Sequence, residues 1–227
     1  MIYVTSDIHG CYEKYTRLME CLNLKEDDRL YILGDIVDRG GGGIEVIKDV
    51  MNRKNVVCLR GNHDYCASIF LKKFALQDHS TEEARLKEGF KLWLEDGGAE
   101  TFSSFSKLDD NEKQSVLSFL ESLPFYEEIS INEQRFFLAH TVCEKARMID
   151  IENSDLRNFL FGEPEYEKCY FEDMKIVTGH TPTGFIDPAY AGQIWKGNQH
   201  IAIDCGAVFG NPLGCICLDT MEEIYID

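Results

Sequence analysis

The residues of this chain best suited to chemistry arrive in short, regularly spaced groups. Ser6-Asp7-Ile8-His9-Gly10 comes first, Gly34-Asp35-Ile36-Val37-Asp38-Arg39-Gly40 second, and Arg60-Gly61-Asn62-His63-Asp64 third. Two single histidines, His140 and His180, follow far downstream. Carboxylate, amide and imidazole groups with no thiolate among them suit Mn, Fe or Zn better than a soft metal. Asp7 and His9 stand two apart, so both can turn toward one ion. A single carboxylate such as Asp35 can bridge two cations, which in two-metal sites lie about 3.5–4 Å apart. Water held between such ions loses a proton near neutral pH and becomes a nucleophile. The pattern reads as a two-metal hydrolase.

Behind each group stands an element that must position it. Met1–Thr5, Leu30–Leu33 and Val56–Leu59 run apolar into the three clusters, and Arg135–Ala139 and Met174–Gly179 run into His140 and His180. Their length and their β-branched or aromatic content predict strands buried on both faces. Between the first three lie helical stripes, Tyr15, Leu18, Met19 and Leu22, then Ile44, Ile47, Val50 and Met51. Strand–helix–strand units of this length favour right-handed parallel crossovers, and open sheets of that kind collect ligands beyond the carboxyl ends of their strands. From about 74 to 128 the chain offers no ligand cluster and predicts helices. Leu86, Phe90, Trp93 and Leu94 give one stripe, and Val116, Phe119, Leu120 and Leu123 another. Gly97-Gly98 reads as a helix stop, and Trp93 reads as core.

Composition narrows the classes further. At 227 residues, with no repeat or linker, one domain over 1–227 is expected, with 74–128 as a helical insertion. The net charge of −17 and the lack of a basic stripe argue against nucleic acid as partner. No apolar run approaches the ~20 residues that span a bilayer, so no membrane partner is expected. The first strand starts at the N-terminus and already carries ligands, so no signal peptide and a cytoplasmic location are expected. In that setting the nine cysteines are expected as reduced thiols. Cys215 and Cys217 alternate within a strand pattern as small buried residues, while Cys11 and Cys66 fall close enough to the clusters to make an oxidation-sensitive site. His79 and His200 lack the strand-end setting and read as structural or exposed.

On these motifs the chain resembles the calcineurin-like metallophosphoesterase superfamily. Within it, the chain is similar to the bacterial phosphoprotein phosphatase (PPP) type and to the symmetric dinucleoside tetraphosphatases that share its motifs. Trp93-Leu94-Glu95-Asp96-Gly97-Gly98-Ala99-Glu100-Thr101 resembles that branch's Trp-x-x-x-Gly-Gly-x-x-Thr, Phe119–Phe125 its Phe-Leu-x-x-Leu-Pro, and Ile203-Asp204-Cys205-Gly206 its late Ile-Asp-x-Gly. The resemblance implies an α/β fold, a four-layer αββα sandwich. It implies Asp7, His9 and Asp35 on a first metal and Asp35, Asn62, His140 and His180 on a second, with Mn the favoured ion and Fe or Zn the alternatives. His63 would then be the general acid that protonates the leaving oxygen, Asp38 would orient its ring, and Arg39 with Asn62 would hold the phosphoryl group.

Two positions depart from the PPP pattern. Ser6 stands where Gly is usual, and Glu163 stands where a second phosphate-binding Arg is usual, leaving Arg157 or Arg147 to compensate. The function expected first is a phosphomonoesterase acting on phosphoserine or phosphothreonine proteins. The alternatives are a dinucleoside polyphosphate hydrolase and a non-catalytic binding protein on the same fold; intact ligand positions speak against the last.

Overall fold

Alternate residues of the apolar runs face opposite ways, and that sets the layering. The computed structural model describes residues 1–75, 83–148, 151 and 154–227. Strands β1 (Ile2–Thr5), β2 (Arg29–Ile32) and β3 (Val56–Cys58) are parallel, joined by helices α1 (Tyr12–Leu22) and α2 (Gly43–Met51). Helices α3 (Asn62–Ala75), α4 (Glu83–Trp93), α5 (Ala99–Ser106) and α6 (Asp110–Ser122) follow. A second sheet is then built from β4 (Tyr126–Ile131), β5 (Gln134–Ala139), β6 (Met174–Thr178), β7 (Trp195–Gly197) and β8 (His200–Ala202), with the short helices α7 (Asn158–Phe161) and α8 (Thr183–Ile186) between its strands. The chain closes with β9 (Leu213–Cys217) and β10 (Glu223–Ile226).

The strand orders are β10-β9-β1-β2-β3 and β4-β5-β6-β8-β7. Each sheet has a run of three parallel strands, β1-β2-β3 in one, with antiparallel β9 and β10 beyond β1, and β5-β6-β8 in the other, flanked by antiparallel β4 and β7. Val4, Tyr31, Leu33, Phe136, Leu138 and Val177 pack between the sheets. Their neighbours Leu30 and Ile32 face outward under the helices, and Phe137, Ala139 and Ile176 face outward from the second sheet against Phe159. The sandwich expected from the motifs is present, with a thin fourth layer of α7 and turns.

Helix α1 buries the stripe expected of it, Tyr15, Leu18, Met19 and Leu22. In α2 the buried face is rotated: Val46 is fully buried while Met51 is 41% exposed. The helical run breaks at Gly97-Gly98, as expected: Asp96 and Gly97 leave helical geometry, Gly97 at φ 105°. After this kink α5 starts at once with Ala99. Residues 126–128, expected as helix, open β4. Among the described residues no helix is long and apolar enough to cross a membrane.

Candidate active site

Every cluster singled out in the sequence meets at the carboxyl ends of the parallel strands. Asp7 and His9 follow β1; Asp35, Asp38 and Arg39 follow β2; Asn62 and His63 open α3 after β3; His140 and His180 follow β5 and β6. Apart from Arg39, Asn62 and His180, which are half-buried, these side chains are buried. To turn so many groups inward, Asp7, His9, Asp35, Asp38, Arg39 and His180 adopt left-handed backbone with φ between 44° and 69°. Non-glycine residues avoid that region, at a cost of about 1–3 kcal/mol each, unless the surroundings over-determine it. Here they do. His9 N donates to Asp35 O at 2.9 Å, Gly40 N to His9 O at 2.9 Å and Arg39 N to Gly97 O at 3.0 Å. Asp64 accepts from the backbone N–H groups of Asp35, Ile36 and Gly61 at 2.8, 3.1 and 3.0 Å. A Cβ on Gly61 would fall 2.0 Å from Asp35 Oδ1, so only glycine leaves room for that carboxylate.

Two groups of side chains have ligand atoms within 4.8 Å of one another: His9, Asp35 and His63, and Asp35, His140 and His180. Asp35 belongs to both. Its Oδ2 lies 3.5 Å from His9 Nε2 and 3.5 Å from His140 Nε2. Both rings have their other nitrogen engaged, His9 Nδ1 donating to Val37 O at 3.0 Å and His140 Nδ1 to Leu33 O at 2.8 Å. Each Nε2 therefore presents a lone pair to the carboxylate rather than a proton. Asn62 Oδ1 adds another acceptor, 2.9 Å from His140 Nε2 and 3.1 Å from His180 Nδ1. Lone pairs of Asp35, Asn62 and His140 converge here, and His9 Nε2 meets Arg39 Nη1 as a donor at 2.6 Å; such a convergence is the chemistry of a cation site, so the residues fit a pair of divalent ions. Asp7 is aimed by Ser6 Oγ at 2.5 Å and by His180 N at 2.9 Å, both donating to its Oδ2.

Burial pushes His9 down to about 3 and His180 to about 4, keeping both neutral as ligands must be. Burial works against charge on Asp35 too, but the positive charge that the surrounding imidazoles, His140 foremost, carry when protonated holds its carboxyl below the usual range. Burial raises Asp7, with His140 opposing. Burial and then the Asp35 charge raise Asp64 to about 6.

His63 behaves differently. Burial would lower it, but the hydrogen bond to Asp38 and the charges of Asp35 and Asp38 raise it to about 9. Its Nδ1 donates to Asp38 Oδ2 at 2.8 Å. At its other nitrogen a competition is set up. Arg39 Nη2 lies 2.9 Å from His63 Nε2 while Arg39 Nη1 lies 2.6 Å from His9 Nε2. A guanidinium can only donate, so this position of Arg39 requires a bare Nε2, whereas the carboxylates favour a proton there. Proton and guanidinium exclude each other, and a phosphoryl group that drew Arg39 away would leave Nε2 to the proton.

Four residues of this region carry contacts that the sequence did not announce: Ser6, Asp64, Trp93 and Thr101. Trp93 is core, as expected, but its Nε1 donates to Asp38 Oδ2 at 2.7 Å. Thr101 Oγ1 donates to Asp38 Oδ1 at 2.6 Å and accepts from Asp38 N at 2.9 Å. The available signal was the Trp-x-x-x-Gly-Gly-x-x-Thr spacing itself.

The arginines considered as substitutes are held elsewhere. Arg157 binds Asp155 through Nε and Nη2, and Arg147 pairs with Glu144 at 3.3 Å. Glu163 is exposed in a cleft of about 420 Å³ that it lines with Glu144, Arg147, Glu165 and Glu167, next to the loop that follows His140. Burial raises the Cys11 thiol and pushes Cys66 up to about 12, opposite to the shift that makes a thiol reactive. Cys215 and Cys217 are buried in β9, as their alternation suggested, and His200 is buried in β8; His79 lies outside the described residues.

Residues 1–209 match the family model described as calcineurin-like phosphoesterase. The chain is 27% identical over 253 residues to an asymmetrical bis(5'-nucleosyl)-tetraphosphatase PrpE of Bacillus subtilis, covering 98% of this chain and 93% of that one. It is 28% identical over 140 residues to serine/threonine-protein phosphatase 2 of Salmonella typhimurium, covering 61% and 57%. In fold it is similar to a proposed diadenosine tetraphosphatase, with a TM-score of 0.68 at 17% identity over 99% of this chain and 92% of that one. A Saccharomyces cerevisiae serine/threonine phosphatase gives 0.63 at 15% identity, covering 100% and 79%.

Proposed function

The chain belongs to the calcineurin-like phosphoesterases and so is a phosphoric ester hydrolase; from that premise we propose that it hydrolyses dinucleoside polyphosphates with two divalent ions, Mn foremost. The observation that carries the metal chemistry is the sharing of Asp35 Oδ2 between two imidazole lone pairs at 3.5 Å. The substrate class is supported by the relatives of that printed activity, which align along nearly the whole chain.

In this reading Asp7, His9 and Asp35 hold the first ion, and Asp35, Asn62, His140 and His180 hold the second. When bound, such a pair polarises phosphoryl oxygens and lowers the pKa of water enough to supply a nucleophile at neutral pH. The chain's own residues do the rest. Arg39 leaves His9 and His63 to take phosphoryl oxygens in its fork, with Asn62 beside it. His63, freed at Nε2 and kept protonated by Asp38 and Asp35, delivers that proton to the leaving oxygen while Nδ1 stays on Asp38. The left-handed turns fix these groups beforehand, so little reorganisation remains for the reaction.

A second reading is hydrolysis of phosphoserine or phosphothreonine, and one observation favours it. A buried proton donor is most useful to a leaving group of high pKa, such as a serine alkoxide, and least useful to a phosphate leaving group. Metal-stripped protein, assayed with diadenosine tetraphosphate and with a phosphoserine peptide before and after Mn²⁺ is added, tests both. Turnover only with Mn²⁺, and faster on the dinucleotide, is expected. A preference for the peptide selects the second reading, and full activity without metal, verified by elemental analysis, sinks the mechanism.

A further inference from the structure

We infer that the helical insertion is part of the catalytic apparatus, with Trp93 and Thr101 as positioning residues that hold Asp38 so that His63 can deliver its proton. The inference rests on the reading of His63 as proton donor. Asp38 is fully buried and carries no ligand-facing contact of its own; its carboxylate is committed to three donors. His63 Nδ1 lies 2.8 Å and Trp93 Nε1 2.7 Å from Oδ2, and Thr101 Oγ1 lies 2.6 Å from Oδ1. Thr101 also accepts from Asp38 N at 2.9 Å, so both the side chain and the backbone of Asp38 are fixed from α5. Two of the three donors to this carboxylate thus come from the insertion and none from the strand that bears it.

The same segment fixes the neighbour. Arg39 N donates to Gly97 O at 3.0 Å, and Gly97 itself has φ 105°. A Cβ there would come within 2.6–2.9 Å of Arg39, so glycine is required for the kink to close on it. Asp38 and Arg39 both stand in left-handed backbone, at φ 69° and 67°, the conformation that needs support from outside. Trp93 is itself wedged by Phe70, stacked at 5.5 Å, and by Phe90 at 5.8 Å, so its indole cannot swing away. A carboxylate held by three donors stays aimed, and an aimed carboxylate keeps the imidazole in one tautomer.

Leaving-group dependence separates this role from a merely structural one. On a series of aryl phosphates from p-nitrophenyl to phenyl, His63→Asn should lower kcat by about 10²–10⁴-fold on the poorest leaving group and far less on p-nitrophenyl phosphate. Trp93→Phe and Thr101→Val, which each remove one donor to Asp38, should show the same bias with losses of about tenfold on phenyl phosphate, KM and bound metal being unchanged. Thr101→Ser should restore the wild-type pattern. Uniform losses across the series in both variants, or none, overturn the inference even if His63→Asn shows the bias. Absence of the bias in His63→Asn, or no wild-type turnover of aryl phosphates, overturns the reading of His63 and the inference with it.

Discussion

The two sheets contribute to the site in different ways. The first carries Asp7, His9, Asp35, Asp38, Arg39, Asn62 and His63 on three consecutive turns, and these turns hold one another by backbone hydrogen bonds and through Asp64. The second sends only His140 and His180, and their rings reach across to a carboxylate and an amide from the first. One candidate ion position is therefore complete within the first sheet, while the other exists only where the sheets face each other. The difference extends to buried polar groups. Asp64 and Asp38 each accept from three donors, whereas His200 in the second sheet touches Thr178 Oγ1 at 2.8 Å with Nε2 and leaves Nδ1 buried without a partner. The second sheet supplies two candidate ligands to a site built on the first.

That asymmetry breaks if the two ion positions fail together. Asp35→Asn should remove both ions and lower kcat/KM by more than the roughly 10²–10⁴-fold of a lost proton-transfer group. His180→Asn should keep one ion of two. Elemental analysis of the purified variants decides, and equal metal content in the two would show that the positions are not separable by sheet.

The unpartnered His200 allows a test of intermediate size. Burial lowers it to about 3 from an ordinary 6.5, so it is neutral in the fold. Above pH 6.5 neither the folded nor the unfolded chain binds the proton, and the burial has no pH-dependent cost. Below it the unfolded chain binds a proton that the fold refuses, and stability falls by about 1.4 kcal/mol per pH unit. Between pH 6.5 and 5 the metal-free wild type should lose about 2 kcal/mol relative to His200→Phe, or roughly 4–8 °C in Tm for a chain of this size. Parallel Tm curves for the two proteins would mean that His200 finds a partner in solution.

The smallest expected effect sharpens the picture at the edge of the first sheet's site. Asp96 is exposed, with its carboxylate 3.5 Å from Arg39 Nη2 and 3.6 Å from His63 Nε2. It competes with a phosphoryl group for both. Because solvent screens it, Asp96→Asn should lower KM for an anionic substrate by only about two- to fivefold, the range of an exposed pair, with kcat little changed. A raised KM would instead make Asp96 part of the substrate's own binding.

Much of this was legible in the residues. Ligand groups at strand ends are written locally, since a short apolar run fixes the strand and the next polar residues fall at its carboxyl end. For this reason Asp7, His9, Asp35, Asn62, His63, His140 and His180 could be placed together before any coordinates. What was not legible depends on contacts distant in sequence. Trp93 satisfies a core stripe whether or not its indole N–H has a partner, and that partner, Asp38, is 55 residues away. On a helical wheel Met51 lies nearer the Ile44, Ile47 and Val50 stripe than Val46 does, and only packing against the rest of the core reverses that order. Gly97-Gly98 was legible as a helix stop, but the close approach of Arg39 that requires Gly97 there was not.

The place of β1 in its sheet has a consequence for the order in which the molecule can assemble. β1 is synthesised long before one of its two neighbours, β9, and Thr5 Oγ1 donates to Gly214 O across 209 positions of sequence. A chain halted just after His180 would contain every candidate ligand and still lack the strand that closes β1 on that side. At about 5–20 residues per second of translation, the nascent chain holds Asp7 and His9 on a half-open sheet edge for many seconds. Such long-range pairing is slow to form and exposes an unpaired edge meanwhile. Closure of β1 on that side therefore waits for β9, although every candidate ligand precedes it in the chain.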